Sequence, residues 1–288
     1  MPVLEGDRLA GRIAAITGAA GGFGRELVFA LLREGAAVTA SDIDERRLQT
    51  LSDECSERGL AARLATFRMD ISRYEDCAEA ISRTRARFGG PDILINNGAV
   101  GMGVIRRDHM ARLIDIQEIS PEMWDQFTAT NYSGAWYMTR AAIDGMLAAG
   151  WGRIVNVTTS FFTMLRSRFH PYGPAKAGLE AMSAGHAEEF AGTGVTVNVV
   201  VPGGPADTPM VPEESGFDRQ TLIAASAMVP PIVWLCAQAG SDATGHRYIA
   251  ADWDSSIEPA AAAAACRAPI AWPDLARNPV WPGGSPAA

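Results

Sequence analysis

Short apolar runs alternate with longer amphipathic runs along most of the chain. The apolar runs have the length of strands, and the runs between them carry apolar residues at helical spacing. The predicted strands are Ile13–Thr17, Ala37–Ser41, Arg63–Met69, Ile93–Asn96, Gly152–Thr158, Val195–Val201 and Arg247–Ala250. The predicted helices are Gly22–Arg33, Glu45–Arg58, Tyr74–Phe88, Pro121–Ala149, Pro174–Ala191 and a last one near Ala227–Gln238.

Strands that are apolar throughout are buried on both faces, which is typical of a parallel sheet covered by helices. Crossovers between parallel strands are right-handed, so the pattern predicts an α/β fold with a doubly wound parallel sheet of the Rossmann type. We expect about seven strands with helices on both faces. At 288 residues and without an internal repeat, the chain fits one domain over residues 1–257.

Two segments interrupt the alternation. Residues 100–120 form a long excursion after the fourth strand and carry Arg106 and Arg107. Residues 258–288 are rich in alanine and proline, which predicts either disorder or an extended arm on a neighbouring subunit. The aromatic side chains of Trp272 and Trp281 favour docking over disorder.

Composition narrows the class of protein. Apolar residues make up 48% and charged residues 20%, which is typical of a globular protein with a substantial core. The net charge of −8 argues against a nucleic acid or an anionic membrane surface as partner. No apolar run approaches the roughly 18 residues of a spanning helix, and the N-terminus lacks the apolar core of a secretion signal. We therefore expect a cytoplasmic protein.

The metal-binding residue types show no ligand spacing. The four cysteines are far apart without a Cys-x-x-Cys pair, and the four histidines are equally scattered. We expect reduced, incidental thiols and no metal site.

A glycine cluster joins the first predicted strand to the first predicted helix, with the sequence Thr-Gly-Ala-Ala-Gly-Gly-Phe-Gly at Thr17–Gly24. Glycines let the backbone turn tightly and approach a pyrophosphate, while the helix N-terminus supplies free N–H groups. The cluster therefore indicates a dinucleotide site, with a plain structural turn as the alternative.

Two carboxylates follow the next two strands. Asp42 ends the second strand, where a carboxylate can bind the adenosine ribose diol and repel a 2′-phosphate. No arginine or lysine follows it at once, which favours NAD(H) over NADP(H). Asp70, after the third strand, is placed to reach the adenine amino group. Each carboxylate has an alternative interpretation as the N-cap of the helix that follows it.

Tyr172-Gly-Pro-Ala-Lys176 indicates the catalytic chemistry. Positions i and i+4 share a face of a helix, so the phenol and the ammonium can point into one cleft. The ammonium stabilises a phenolate, which makes the tyrosine a usable proton donor and acceptor. Pro174 places this stretch in the first turn of its helix.

Candidate partners of Tyr172 lie upstream. The fifth strand ends in Thr158-Thr159-Ser160, and a hydroxyl there can hydrogen-bond a substrate oxygen on which charge develops. Asn131, inside the preceding helical run, either holds a water that connects the lysine with solvent or is a buried amide that bends the helix.

In this order, the motifs resemble the short-chain dehydrogenase/reductase family, over about residues 8–254. The glycine motif has the family's Thr-Gly-x-x-x-Gly-x-Gly form, and Asn96–Ala99 resembles its Asn-Asn-Ala-Gly segment with the last two residues exchanged. The resemblance implies a catalytic set of Asn131, Ser160 or Thr159, Tyr172 and Lys176. It implies cofactor contacts by Gly18, Gly22, Phe23, Gly24, Asp42, Asp70, Ile71, Asn97, Tyr172, Lys176, Pro202, Gly203 and Thr208.

Besides this exchange, the chain departs from the family pattern in two further places. Without a gap the family's serine falls on Thr159, whereas Ser160 has the expected chemistry after a shift of one residue; Ser160 is slightly preferred. Near the C-terminus, Ala251–Asp254 replaces the usual Asp-Gly-Gly.

The expected function is NAD(H)-dependent interconversion of a secondary alcohol (a polyol, hydroxy acid or steroid-like molecule) and its ketone. The alternative is a catalytically silent NAD-binding scaffold or sensor subunit. The resemblance also implies a homo-oligomer, dimer or tetramer, with contacts through the helices at 121–149 and 174–191. Arg106 and Arg107 either hold an acidic group of the substrate or belong to a charged, solvated loop.

Overall fold

Eight strands form one sheet in the order β3-β2-β1-β4-β5-β6-β7-β8. The protein is represented by a computed structural model, which describes residues 6–237, 240 and 243–276. The strands are β1 Ile13–Thr17, β2 Ala37–Asp42, β3 Leu64–Arg68, β4 Ile93–Asn96, β5 Gly152–Val157, β6 Val195–Val201, β7 His246–Ile249 and β8 Arg267–Pro269. The helices are α1 Gly22–Arg33, α2 Glu45–Glu57, α3 Tyr74–Phe88, α4 Pro121–Thr128, α5 Gly134–Ala149, α6 Phe161–Leu165, α7 Tyr172–Glu189, α8 Val229–Cys236 and α9 Pro259–Cys266.

The first seven strands are parallel, and the chain reverses its direction of progress across the sheet between β3 and β4. The loops after β1 and β4 therefore diverge at the carboxyl edge of the sheet and leave a crevice between them, where such folds bind ligands. The predicted Rossmann-type α/β class is confirmed.

Each face of the sheet carries its own apolar core. On one face, Leu27 and Leu31 of α1 pack with Ile232 of α8 in a buried cluster. On the other, Ile81 of α3 and Met138 of α5 belong to a second buried cluster. Burial on both faces explains why the inner strands are continuous apolar runs rather than alternating ones.

The long helix predicted over 121–149 is interrupted. Residues Ala129–Ser133 form a π-helical turn between α4 and α5. Such turns occur mostly as single insertions inside α-helices and often at functional sites. Asn131 lies at the centre of this turn.

The C-terminal segment differs from the expectation based on composition. Residues 259–269 fold into α9 and β8, and β8 pairs antiparallel with β7 through Arg247↔Ala268. The sheet thus has one strand more than expected, and residues 259–276 are neither disordered nor an arm that leaves the domain. Trp281 and the remaining C-terminal residues lie outside the described part of the chain, as does Gln238.

Two further findings concern the described residues only. No helix among them combines the length and hydropathy needed to cross a bilayer. No three His, Cys, Asp or Glu side chains come together there as a metal-binding group.

Candidate active site

The glycine motif forms the turn between β1 and α1 in a conformation that only glycine accommodates. Gly18 has φ +60°, and a Cβ there would lie 2.6 Å from the Cα of Gly98. A Cβ on Gly24 would lie 2.1 Å from the carbonyl oxygen of Gly18. The turn is therefore packed backbone against backbone, which presents main-chain atoms of the helix N-terminus to a ligand. Phe23, between these glycines, packs against the core.

Residues directly after β4 hold this turn through hydrogen bonds. The Asn97 side chain donates to the carbonyl oxygens of Thr17 and Gly18 at 3.0 and 2.9 Å. The Thr17 hydroxyl accepts from the backbone N–H groups of Asn97 and Gly98. Asn97 thus shapes the glycine turn through its side chain, a positioning contribution to the predicted cofactor site.

Asp42 lies beside the same turn. Its two carboxylate oxygens accept from the backbone N–H groups of Ala20 and Asp44, each at 3.0 Å. The N-cap of α2 is Asp44, whose carboxylate accepts from Arg47 N–H, so the capping interpretation of Asp42 is wrong. Each Asp42 oxygen keeps a lone pair that can accept from a ribose hydroxyl.

Asp70 stabilises a local turn after β3. One of its oxygens accepts from the Ser72 N–H at 2.9 Å and from the Ser72 hydroxyl at 2.6 Å. The N-cap of α3 is Arg73, without a side-chain capping bond, so Asp70 does not cap that helix. Ile71 packs toward both Gly98 and Gly134, which connects the β3 end with the crevice.

A cation that the sequence interpretation missed lies near the turn. The Arg47 guanidinium of α2 is 3.6 Å from the position of a Cβ on Gly21 and 3.3 Å from the Asp44 carboxylate. It escaped notice because it follows Asp42 by more than one helical turn. Its proximity matters because a guanidinium can bind phosphate oxygens.

The loop after β6 covers the glycine turn from the other side. Gly203 has φ +103°, directly after Pro202 at the strand end. Thr208 is buried, and its side chain would lie 3.0 Å from a Cβ on Gly22. Thr208 of this loop and Gly22 of the glycine turn, both predicted to contact the cofactor, are therefore adjacent in space.

Tyr172 and Lys176 occupy the first turns of α7, as the Pro174 position predicted. The buried Lys176 ammonium donates to the carbonyl oxygen of Val157 at 2.8 Å, and burial lowers the pKa of Lys176 to about 8. Burial raises the pKa of Tyr172 to about 12, while a hydrogen bond with the Thr159 side chain acts to lower it. Both side chains reach the carboxyl end of β5.

The two candidate hydroxyls have different environments. Ser160 is the N-cap of α6: its hydroxyl accepts from Thr163 N–H at 3.1 Å and bonds with the Thr163 hydroxyl at 2.9 Å. Thr159 is the residue hydrogen-bonded to the Tyr172 phenol. The slight preference for Ser160 is therefore not supported by the geometry, because α6 already uses that hydroxyl.

The Asn131 side chain is buried, and both its oxygen and its nitrogen are hydrogen-bonded. Its carbonyl oxygen accepts from Val100 N–H at 2.8 Å, and its amide donates to the Val100 carbonyl at 2.9 Å. These bonds fasten the excursion after β4 to the π turn. The interpretation as a buried amide in a distorted helix fits this geometry. The amide keeps a second N–H and its oxygen a second lone pair, so the role of holding a water stays a prediction.

An apolar wall surrounds the tyrosine. Phe169 packs edge-on against the Tyr172 ring at 6.1 Å between centroids. With Met102, Ile114 and Phe127 it forms a buried cluster drawn from the excursion and α4. The space beside the phenol is therefore bounded mainly by apolar side chains.

The two arginines of the excursion are committed to ion pairs. Arg106 binds Glu118 at 3.0 Å, and Arg107 binds Glu214 at 2.6 Å. The alternative of a charged, solvated loop is thus favoured over an anion site, since both guanidinium groups already have carboxylate partners.

A buried charged pair behind the hydroxyl also escaped sequence analysis. Arg247 of β7 bonds Glu180 of α7 at 3.0 Å and the carbonyl oxygen of Thr159 at 2.7 Å. The partners are far apart along the chain, so only an arginine within an apolar strand run could have signalled the pair.

A nicotinamide dinucleotide fits these residues. The glycine turn leaves no room for Cβ atoms where main chain must approach a pyrophosphate, and the Asp42 carboxylate stands at the neighbouring strand end. Residues 12–217 match the model of the short chain dehydrogenase family. The chain belongs to that family and is an NAD(P)-dependent oxidoreductase acting on hydroxy and keto substrates.

Similar proteins include D-beta-hydroxybutyrate dehydrogenase of Cupriavidus necator, 30% identical over 68% of this chain and 71% of the relative. D-threitol dehydrogenase of Mycolicibacterium smegmatis is 33% identical over 68% and 70%. The crystal structure of actinorhodin polyketide ketoreductase with NADPH superposes with a TM-score of 0.71 at 26% identity, covering 81% of this chain and 93% of that one.

Proposed function

We propose that this protein is an NAD(H)-dependent oxidoreductase that interconverts a secondary alcohol and its ketone, with Tyr172 as general acid and base. The observation that carries the proposal is the convergence of Tyr172, Thr159 and Lys176 at the end of β5. In a binding module without turnover, this arrangement of phenol, hydroxyl and ammonium would have no use.

In the direction of reduction, the Thr159 hydroxyl hydrogen-bonds the substrate carbonyl oxygen and orients it. The Tyr172 phenol donates its proton to that oxygen as negative charge develops. A nicotinamide dinucleotide held by the glycine turn and Asp42 would supply the hydride for reduction, or take it up in oxidation. We expect the Lys176 ammonium, one turn further along α7, to stabilise the phenolate that remains.

The choice of NAD(H) rests on Asp42. Its carboxylate is fixed by two backbone N–H groups, and it repels a 2′-phosphate. Arg47 acts in the opposite direction, because its guanidinium lies near the glycine turn. We place more weight on Asp42, since it is fixed by backbone contacts whereas Arg47 is exposed.

Titration of the protein with NADH and NADPH tests this choice. We expect tighter binding of NADH, and an Asp42→Ala variant that loses the preference. Arg47→Ala is the matched variant. A preference of the wild type for NADPH that disappears in Arg47→Ala would overturn the assignment.

The apolar wall supports a substrate with an apolar substituent beside the alcohol carbon. Val100, Ile105 and Ile119, which are partly exposed beside this cluster, offer van der Waals contact and few hydrogen-bonding groups. Steroid-like alcohols and hydroxy acids with an alkyl chain therefore suit this space better than polyols.

A panel of such alcohols and polyols with NAD⁺, followed by absorbance of the reduced cofactor, tests the proposal. Tyr172→Phe should lose between about 100-fold and 10,000-fold in turnover while it still binds NADH. Tyr74→Phe, at an exposed tyrosine of α3, is the control and should keep wild-type turnover. NADH binding without turnover across a broad panel would favour the silent scaffold.

We also propose a homo-oligomer, dimer or tetramer, built through α4, α5 and α7. Three exposed aromatic side chains lie along α4, the π turn and the start of α5: Trp124, Tyr132 and Trp136. The Tyr132 ring lies beside Gly178 of α7. Light scattering should find an oligomer that Trp136→Glu dissociates; a monomeric wild type would contradict this proposal.

A further inference from the structure

Three potentially charged or polar positions occur at intervals of four residues along α7. Tyr172 and Lys176 serve the proposed chemistry, and Glu180 follows four residues after the lysine. Glu180 is 0% exposed. A carboxylate without solvent is costly unless it is paired and hydrogen-bonded, so its partners need an explanation.

Glu180 is satisfied from three directions. Its Oε1 accepts from Arg247 Nε at 3.0 Å and from Ala271 N–H at 3.3 Å. Its Oε2 accepts from the Thr158 hydroxyl at 2.7 Å. The carboxylate thus joins α7, the end of β5, strand β7 and the C-terminal segment.

Arg247 connects the same groups to the catalytic hydroxyl. It is 4% exposed, and its Nη2 donates to the Thr159 carbonyl oxygen at 2.7 Å. Its Cζ stacks over the Phe161 ring at 4.0 Å. One buried ion pair therefore holds this segment at the Thr158 hydroxyl, the Thr159 carbonyl oxygen and the Phe161 ring, on both sides of the Thr159 side chain.

The C-terminal segment covers this arrangement. Trp272 packs on Phe161 with 5.3 Å between ring centroids. Ala271 has φ +60°, a conformation unfavourable for alanine, at the residue whose N–H donates to Glu180. The segment accepts this strain where it contacts the pair.

We propose that Arg247 and Glu180 form a buried positioning pair that holds Thr159 against Tyr172 and makes residues 267–272 a structural part of the catalytic cleft. Neither side chain is proposed to touch substrate. Both act through their contacts with residues 158–161, which set the position of Thr159. This inference rests on the proposed function for its kinetic consequences, but its structural part stands apart from turnover.

The positioning has a physical consequence for the reaction. The Thr159 hydroxyl orients the substrate oxygen, and a displacement of about 1 Å can cost up to about 100-fold in rate. Loss of its hydrogen bond to the phenol also raises the pKa of Tyr172, since that bond acts against burial. Two other titratable groups lie around Tyr172. Lys176 is one turn further along α7, and His109 packs on Phe169, which itself packs on the Tyr172 ring.

The test uses a double variant, Arg247→Met with Glu180→Gln, which leaves no unpaired buried charge. We expect a folded protein with unchanged NADH affinity and turnover lower by about 10-fold to 100-fold. The pH at which alcohol oxidation is half-maximal should rise. The control is Arg8→Met with Glu34→Gln, which removes an ion pair at the end of α1 and should leave both quantities unchanged.

Two further measurements keep the proposal falsifiable. Trp272→Ala should reduce turnover by a smaller factor, whereas Leu275→Ala, at a largely exposed residue of the same segment, should not. Hydrogen exchange of the 158–163 amides should quicken in the double variant, or in Trp272→Ala if the double variant does not fold. Exchange and pH profile both equal to those of the controls would overturn the proposal.

The outcomes separate this inference from the proposed function. If the wild type turns over no alcohol or ketone, the proposed function fails, and the exchange measurement alone still decides on the positioning pair. If the wild type is active and the variants retain its turnover and pH profile, only the positioning pair fails.

Discussion

The two halves of the active-site crevice are built in different ways. The dinucleotide half is backbone packed against backbone: Gly18, Gly24 and Gly98 leave no space for a Cβ between them. The catalytic half is assembled from side chains that come from distant parts of the chain, as the separation of 67 positions between Glu180 and Arg247 shows. The first half tolerates no added atom, whereas the second depends on the orientation of charged and aromatic groups.

The contrast separates cofactor binding, which a local glycine motif specifies, from catalysis, which depends on tertiary packing. Every nicotinamide dinucleotide has a pyrophosphate, and main-chain atoms of the glycine turn can bind it. The glycine motif that forms this turn is therefore short and local. The packing of Phe169 on Tyr172 and of Trp272 on Phe161 instead joins residues from separate segments and follows no local motif. Substitutions should therefore act on cofactor affinity in the first half and on turnover in the second.

The largest expected effect distinguishes the two hydroxyls of the catalytic half. Thr159→Val should lower turnover by about 100-fold to 1,000-fold, because it removes the hydroxyl that faces the phenol. Ser160→Ala should instead cost about 1 kcal/mol of folding free energy, because it removes the N-cap of α6. Steady-state kinetics and urea unfolding of both variants separate these effects; the reverse pattern would assign the substrate contact to Ser160.

In the dinucleotide half, Gly24→Ala should weaken NADH binding by at least about tenfold, or 1.4 kcal/mol. The added Cβ meets the Gly18 carbonyl and must displace the turn. Gly185→Ala on α7 is the matched control, since a Cβ there meets open space. Equal NADH affinities of the two variants, by fluorescence titration, would break the contrast between the halves.

Lys176 tests how the catalytic half trades stability for chemistry. Its folded-state pKa of about 8 lies below the unfolded value of 10.5, so the folded state binds the proton less tightly. The wild type therefore gains stability as the pH rises from about 8 toward 10.5, and it carries the cost of the buried charge below that window. The stability of Lys176→Met relative to the wild type should therefore be greatest at neutral pH.

The measurement is urea unfolding of wild type and Lys176→Met at pH 7 and pH 9.5. The advantage of the variant should shrink at the higher pH, since the wild-type lysine is then neutral in the fold. A difference that does not change with pH would mean that Lys176 is charged without cost, in disagreement with its burial.

The smallest effect belongs to the excursion. Arg107→Ala should leave the folding free energy nearly unchanged, because its pair with Glu214 is exposed. The ratio of KM values for acidic and neutral substrates should match that of Glu214→Ala. A selective rise in KM for acidic substrates in Arg107→Ala would restore the anion-site interpretation.

Most of the fold was predictable because buried parallel strands are visible as apolar runs. The limits of β1, β4 and β6 coincide with the predicted ones. Strand β8 was not predictable, since its three residues are exposed and include Pro269. The π turn was missed because one inserted residue does not change helical periodicity over a long window.

The candidate site was predictable to the extent that its chemistry is local. Tyr172 and Lys176 share a helix turn, so spacing alone brings them together. The choice between Thr159 and Ser160 depends on which of them becomes the N-cap of α6, a helix of five residues without a periodic signal. The contacts of Arg247 depend on tertiary packing and leave no trace in a local window.

Strand β8 also determines whether the sheet can polymerise from that end. It occupies the free edge of β7 and finishes at Pro269, which has no N–H to offer to another strand. At the opposite end, β3 remains an edge but carries Arg68, and Arg83 stacks over its Phe67 ring. Charge at one margin and a missing donor at the other both discourage edge-to-edge aggregation, which open sheets must avoid.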